Sequence, residues 1–168
     1  MLFQSFEITS FILYLQNLLA TTKDIYIAIW PCYQPRTLLC SVCMQAFTSD
    51  QVYDNLVPIA VKYLTNGIAS VMPAAADAVA ASLRTNRRQH QRTELYGRML
   101  RDFAHGRCFL RRCSFLIMAA SLLARFSAKF FAEWCLSIVL ELSSDPVPLV
   151  RLRYTCCTPL LQGRSFAF

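Results

Sequence analysis

Eight cysteines, two histidines and ten acids are the side chains with which this chain of 168 residues could do chemistry. Cys40 and Cys43 form a C-x-x-C pair, the spacing of a redox dithiol or of half a zinc site. No second pair stands at ligand spacing, and His90 and His105 are distant in sequence, so no metal-ligand set is complete. Asp50 and Asp54 lie one helical turn apart, which suits a helix N-terminal turn, where carboxylates meet the positive end of the dipole. Glu133, Glu141 and Asp145 show no diagnostic carboxylate spacing. The four glycines build no phosphate loop, and no G-x-S-x-G elbow is present. The chain is therefore expected not to be an enzyme and to need no cofactor or metal. Cys32, Cys40, Cys43, Cys108, Cys113, Cys135, Cys156 and Cys157 read as small buried thiols of a reducing, cytoplasmic protein.

The basic residues carry more information. Between Arg84 and Arg112 nine arginines face only Glu94 and Asp102, a local net of +7 that equals the charge of the whole chain. Arg84, Arg87, Arg88 and Arg92 form its core, in a loop with adjoining helix ends. Such a run is commonly a solvated loop. It also suits docking of an acidic protein surface, because the guanidinium fork pairs bidentately with carboxylates. No aromatic residue interleaves positions 84–92, which argues against a stacking platform for nucleic acid.

Apolar residues make up 55% of the chain and charged residues 16%. A membrane protein and a chain buried on several sides both fit these values. A spanning helix needs about 18 or more consecutive apolar residues. The longest uncharged stretch, Ile8 to Thr22, has 15 and includes Gln16 and Asn17. Cys113 to Ala124 is shorter and framed by Arg111, Arg112 and Arg125. The opening MLFQSFE lacks the positive region of a secretory signal. A small helical membrane-associated protein is the alternative, and the span lengths argue against it.

The elements that hold these residues follow from a repeat. LSIVLELSSDPVPLVRLRYTCCTPLL (136–161) reads as helix, turn, helix: Asp145 suits an N-cap, and Pro146 and Pro148 suit a helix start. The plan recurs at 95–122 and at 56–83, with the turns anchored at Asn66, His105 and Asp145, spaced by 39 and then 40 residues. Five positions after each anchor come Val71, Leu110 and Val150; five before it come Val61, Leu100 and Leu140. These are expected to be buried, beside the solvated Lys62, Arg101 and Glu141. One helix pair cannot bury its apolar face alone, whereas stacked neighbours complete the core and explain the apolar composition without a membrane.

These residues resemble the HEAT repeat family. Pro58 matches its first-helix proline, and Asp145, Val150 and Arg151 match its Asp turn and Val-Arg pair. The family's polar ladder carries over to Asp145 and Arg151 in full and to Arg111 in part; Asn66, Met72 and His105 depart from it. Within that family, FAHGRCFLRRCSFLIMAASLLARFSAKFFAEW and LELSSDPVPLVRLR look most like the group that comprises regulatory subunit 4 of protein phosphatase 4 and the scaffold subunit of protein phosphatase 2A. The resemblance implies an all-α fold, a right-handed α-α superhelix of about three antiparallel helix pairs. It also implies a non-catalytic scaffold or regulatory subunit, with a serine/threonine phosphatase catalytic subunit as protein partner. The expected organisation is an unassigned apolar segment 1–35, an array over 36–163 with repeats near 51–84, 93–125 and 128–162, and a tail 164–168. Neither end shows a polar capping helix, as expected for a piece of a longer array.

Overall fold

A computed structural model describes residues 48–66 and 69–163. The N-terminal segment 1–35, Cys32, Cys40, Cys43, the uncharged stretch 8–22 and the tail 164–168 lie outside the described residues. The described chain forms six helical stretches and, among the described residues, no strand.

Helix α1 joins Ser49–Gln51, a wide π-turn stretch Val52–Leu56, and Val57–Asn66. Thr48 opens it with a capping box: its hydroxyl accepts the Gln51 amide, and the Gln51 side chain accepts the Thr48 amide at 3.1 Å. Pro58 cannot donate to the turn before it, and its ring crowds the carbonyl four residues back, which accounts for the loosened stretch there. Helix α2 is Met72–Thr85 with Pro73 in its first turn. Helix α3 is Gln89–Arg98 continued by a second wide stretch, Met99–Ala104. Helix α4 is Phe109–Arg125. Helix α5 joins Ala128–Phe131, Ala132–Leu136 and Ser137–Glu141 and tightens into a 3-10 turn, Leu142–Ser144. Ser127 caps it by accepting the Phe130 amide. Helix α6 is Pro148–Gln162. Pro148 occupies its first turn, but Asp145 is not its N-cap: that place is taken by Val147, and the Asp145 carboxylate accepts the Val147 amide at 2.8 Å within the preceding turn.

The helices stack as three antiparallel pairs, α1/α2, α3/α4 and α5/α6. In the row of second helices, α4 lies between α2 and α6 and packs on both. The buried side of α2 is almost all alanine, with Ala75, Ala76, Ala78, Ala80 and Ala81, whereas α4 buries Phe115, Leu116, Met118 and Leu122. Small against large lets the two helices approach and interdigitate. Polar contacts cross the same interfaces. The Ser114 hydroxyl lies 2.8 Å from the Leu64 carbonyl in the preceding pair, and Cys157 Sγ lies 3.6 Å from the Leu116 carbonyl.

Equivalent positions recur at a constant spacing of 39 residues, the separation between Tyr96 and Cys135, whose Oη and Sγ meet at 3.7 Å. At this spacing Val57, Tyr96 and Cys135 are all buried; so are Leu64, Phe103 and Leu142, and Val79, Met118 and Cys157. The expected second step of 40 residues is thus one too long. Asp145 corresponds to Gly106, and His105 corresponds to Ser144. The slip explains two misplaced positions. Leu110 corresponds to Leu149, and both are exposed, whereas Val150 is fully buried. Leu140 is 46% exposed, and Val139 fills the core place instead. The sequence offset followed the most polar residue of each turn, but burial is set by where the helices touch.

Burial also departs from expectation at two cysteines: Cys113, Cys135 and Cys157 are buried, but Cys108 and Cys156 are exposed. Burial raises the buried thiols above their ordinary range, Cys135 to about 11, so they stay protonated at neutral pH.

One buried group is poorly served. Ser82 in α2 is 1% exposed, and its hydroxyl has no hydrogen-bond partner. Leaving such a group unsatisfied costs about 1–3 kcal/mol, and alanine favours helix over serine. Ser82→Ala is therefore expected to stabilise the fold by about 1 kcal/mol, measured as a higher thermal unfolding midpoint. An unchanged or lower midpoint contradicts this.

Candidate docking surfaces

The antiparallel stack has two edges. One carries the turns within pairs and the other the connections between pairs, and each gathers a different group of arginines.

On the first edge, Arg112 organises two successive turns. Its Nη1 donates to the carbonyls of Gly106 and Arg107 at 2.9 and 3.1 Å, strapping the turn before its own helix. Its Nε and Nη2 donate to the two oxygens of Asp145 at 2.6 and 3.1 Å, a fork that reaches the turn of the next pair. The side chains are 14% and 4% exposed, so the pair is shielded from water. The Arg112 hydrogen bond, working against burial, holds the Asp145 carboxyl below the usual carboxylate range, and the Arg112 guanidinium is raised in turn. Arg151 repeats the strap: its Nη1 donates to the carbonyls of Asp145 and Pro146 at 2.7 and 3.2 Å. The cross-pair contact is made by Arg112 rather than by the anticipated Arg111, which is exposed. Arg112 and Arg151 are 39 residues apart, so the register that places the apolar core also places the ladder. Asn66 ends α1, and His105 is an exposed residue closing α3. Val71 and Val150 are buried core residues at the starts of α2 and α6.

On the second edge, the loop between α2 and α3 holds Arg84, Arg87, Arg88 and Arg92. The Asn86 side chain shapes it, accepting the Arg88 amide at 2.8 Å and donating to Gln91 at 2.7 Å. The four arginines do not act as one patch. Arg88 reaches back to Asp50 at the start of α1, Nη2 to Oδ2 at 2.7 Å, and is locally neutralised. Arg87 is exposed. Arg84 turns forward and lies over the Phe126 ring, 5.6 Å from its centroid. Phe126 stacks on Phe130 at 4.5 Å, and Tyr96 meets Phe130 and Trp134 at 5.8 and 5.2 Å. An aromatic row thus leads from the arginine edge along the seam between α3 and α5, ending at Trp134, which is 43% exposed. Sequence reading missed the row because its members come from two helices and a loop; the FSAKFFAEW segment alone, with aromatics at positions 126, 130 and 134, was its visible trace.

The seam between α1 and α3 holds a shallow cavity of about 180 Å³ lined by Tyr53, Pro58, Glu94 and Arg98 among others. The Tyr53 hydroxyl is pushed up to about 12 by burial and by its hydrogen bond to Glu94, so it stays protonated. Among the described residues no group of three or more metal-ligating side chains gathers. No helix among them is long and apolar enough to cross a membrane; the stretch 113–124 lies within α4 and is packed into the stack.

Three helix pairs in constant register, joined by an Arg–Asp ladder along one edge, define a HEAT-type helical-repeat protein. Two curated relatives match it, both serine/threonine-protein phosphatase 4 regulatory subunit 4. The one from Mus musculus is 31% identical over 117 residues, and the one from Homo sapiens is 29% identical over 117 residues. The match covers 69% of this chain but only 13% of each relative. No protein-family profile matches the chain, and no solved structure does.

The ladder yields a pH-dependent test. The Asp145 pKa is lower folded than unfolded, so its stabilisation is present above the unfolded value, about 3.9, and is lost as pH falls through the folded value. Asp145→Ala leaves Arg112 shielded and unpaired and is expected to cost about 3 kcal/mol at neutral pH. Denaturant unfolding should show the gap between wild type and variant shrinking as pH drops below about 4. A gap that is independent of pH contradicts the assigned role.

Proposed function

We propose that this chain is a non-catalytic scaffold or regulatory module that binds protein partners, and that one of them is a serine/threonine phosphatase catalytic subunit. The similarity to a phosphatase 4 regulatory subunit over 117 residues carries the reading. The physical organisation agrees with it. The buried polar groups described above serve packing and turn geometry: Ser114 and Cys157 contact carbonyls of neighbouring helices, and Asp145 is neutralised by Arg112. What remains outside is surface, which is what a scaffold uses.

In this reading the array 36–163, with units near 51–84, 93–125 and 128–162, presents the within-pair turns and the second-helix face to partners. The arginine edge supplies charge that steers an acidic surface into place. Arg84, Arg87 and Arg92 are its active members, because Arg88 is matched by Asp50. A cytoplasmic location follows from the free thiols of Cys108, Cys113, Cys135, Cys156 and Cys157, which suit a reducing compartment.

Affinity purification of the full chain with mass spectrometry tests the partner. A co-purifying phosphatase catalytic subunit is the expected result, and its absence overturns the phosphatase assignment. Arg84→Glu, Arg87→Glu and Arg92→Glu combined are expected to weaken recovery of the partner and to flatten its salt dependence. Unchanged recovery removes the arginine edge from the interface.

A further inference from the structure

The seam between α3 and α5 joins two features that rarely share a surface by chance. One is a free aromatic face. Trp134 is 43% exposed, although the position 39 residues earlier, Leu95, is buried. Its ring is held by Tyr96 at 5.2 Å and Phe130 at 6.3 Å. The Tyr96 hydroxyl is turned inward to Cys135, so the supporting ring has its polar tip satisfied in the core. The tryptophan is thereby fixed, and presenting it to a ligand costs little ordering entropy. The other feature is positive charge. Arg84 closes the row over Phe126, Arg92 lies half-buried one turn before Tyr96, and Arg125 and Lys129 flank Phe126 and Phe130 in sequence. Glu133, beside Trp134, is the acid of this segment, and Lys129 one turn earlier offsets it.

We propose that this seam is a binding site for an extended acidic peptide segment, with one apolar side chain, proline or leucine, seated on Trp134 and carboxylates pairing with Arg92 and Arg84. An exposed tryptophan ringed by arginines is the composition of an interface hot spot, and arginine forks match carboxylates bidentately. Single-stranded nucleic acid shares the need for cations and rings, but it needs several free ring faces for successive bases. Here Phe126 and Phe130 are stacked on each other with an interplanar angle of 18°, and Arg84 covers Phe126, so Trp134 is the ring that offers a broad face. The inference deepens the docking reading of the arginine edge and rests on it, but not on the identity of the phosphatase.

The probes are a fluorescein-labelled peptide with paired glutamates on each side of Pro-Leu, the same peptide with lysines for glutamates, and single-stranded oligothymidylate. The chain holds two tryptophans, so Trp30→Phe leaves Trp134 as its sole emitter. The acidic peptide should bind saturably, with a blue-shifted Trp134 emission and a Kd that rises with salt. Trp134→Ala should weaken binding about tenfold or more, while Trp134→Phe retains most of it. Arg84→Glu with Arg92→Glu should abolish it and flatten the salt dependence, with helical circular dichroism unchanged in every variant. Three results overturn the proposal: no saturable binding of the acidic peptide, binding indifferent to Trp134→Ala, or tighter binding of oligothymidylate. Phosphatase recovery is read separately. If the partner is still recovered through the arginines while Trp134→Ala leaves peptide binding unchanged, the peptide site fails and the docking edge stands.

Discussion

The fork between Arg112 and Asp145 is the contact on which the arrangement of successive helix pairs depends. Apolar burial draws the pairs together, but it is non-directional and tolerates sliding. A guanidinium that donates at once to two carbonyls of its own turn and to both oxygens of an acid in the next turn tolerates very little. It has one geometry, and that geometry sets the offset and rotation between neighbouring pairs. Arginine is required because one edge of the planar group straps while the other reaches; a lysine ammonium has no second edge. Because the pair is shielded, replacing one partner is costly even though the intact pair adds modest net stability. The fork is best understood as a device of register, with the stability drawn from the alanine-lined interface between α2 and α4 and its counterpart between α4 and α6.

The fold was largely legible in the sequence because its determinants are periodic. Recurrence of apolar runs near forty residues apart, with polar turns between, requires stacked helix pairs, and the structure has them. The exact phase was less legible. His105 and Asp145 are the conspicuous polar residues of their turns, yet they are not equivalent, because α3 ends in wide turns and α5 in a tight 3-10 turn. The difference moves the visible marker by one residue while the core contacts stay in step. The same single-residue slip shifted the ladder arginine from Arg112 to Arg111 and placed Leu110 and Leu140 in the core on paper.

The surface was legible only in part. Charge runs are seen in any sequence, and the concentration of arginine between positions 84 and 112 was plain. What a run does depends on what it faces. Arg88 is absorbed by Asp50, from a helix that begins 39 residues before it, and no local pattern announces that partner. Arg84 is joined to aromatics contributed by residues 126–134, and the earlier objection that no ring lies among positions 84–92 is met by rings arriving from the next helix pair. Such convergence is a property of the stack.

The constant spacing of 39 residues has an evolutionary consequence. Each pair touches only its neighbours, and every neighbour contact repeats with the same phase. Gain or loss of one whole unit leaves all remaining side chains facing correctly, whereas gain or loss of a single residue within a helix turns every later one to the wrong face. A lineage can therefore lengthen or shorten such an array in whole steps without redesigning its interior, and the reach of the assembly becomes a trait that can be adjusted separately from its stability.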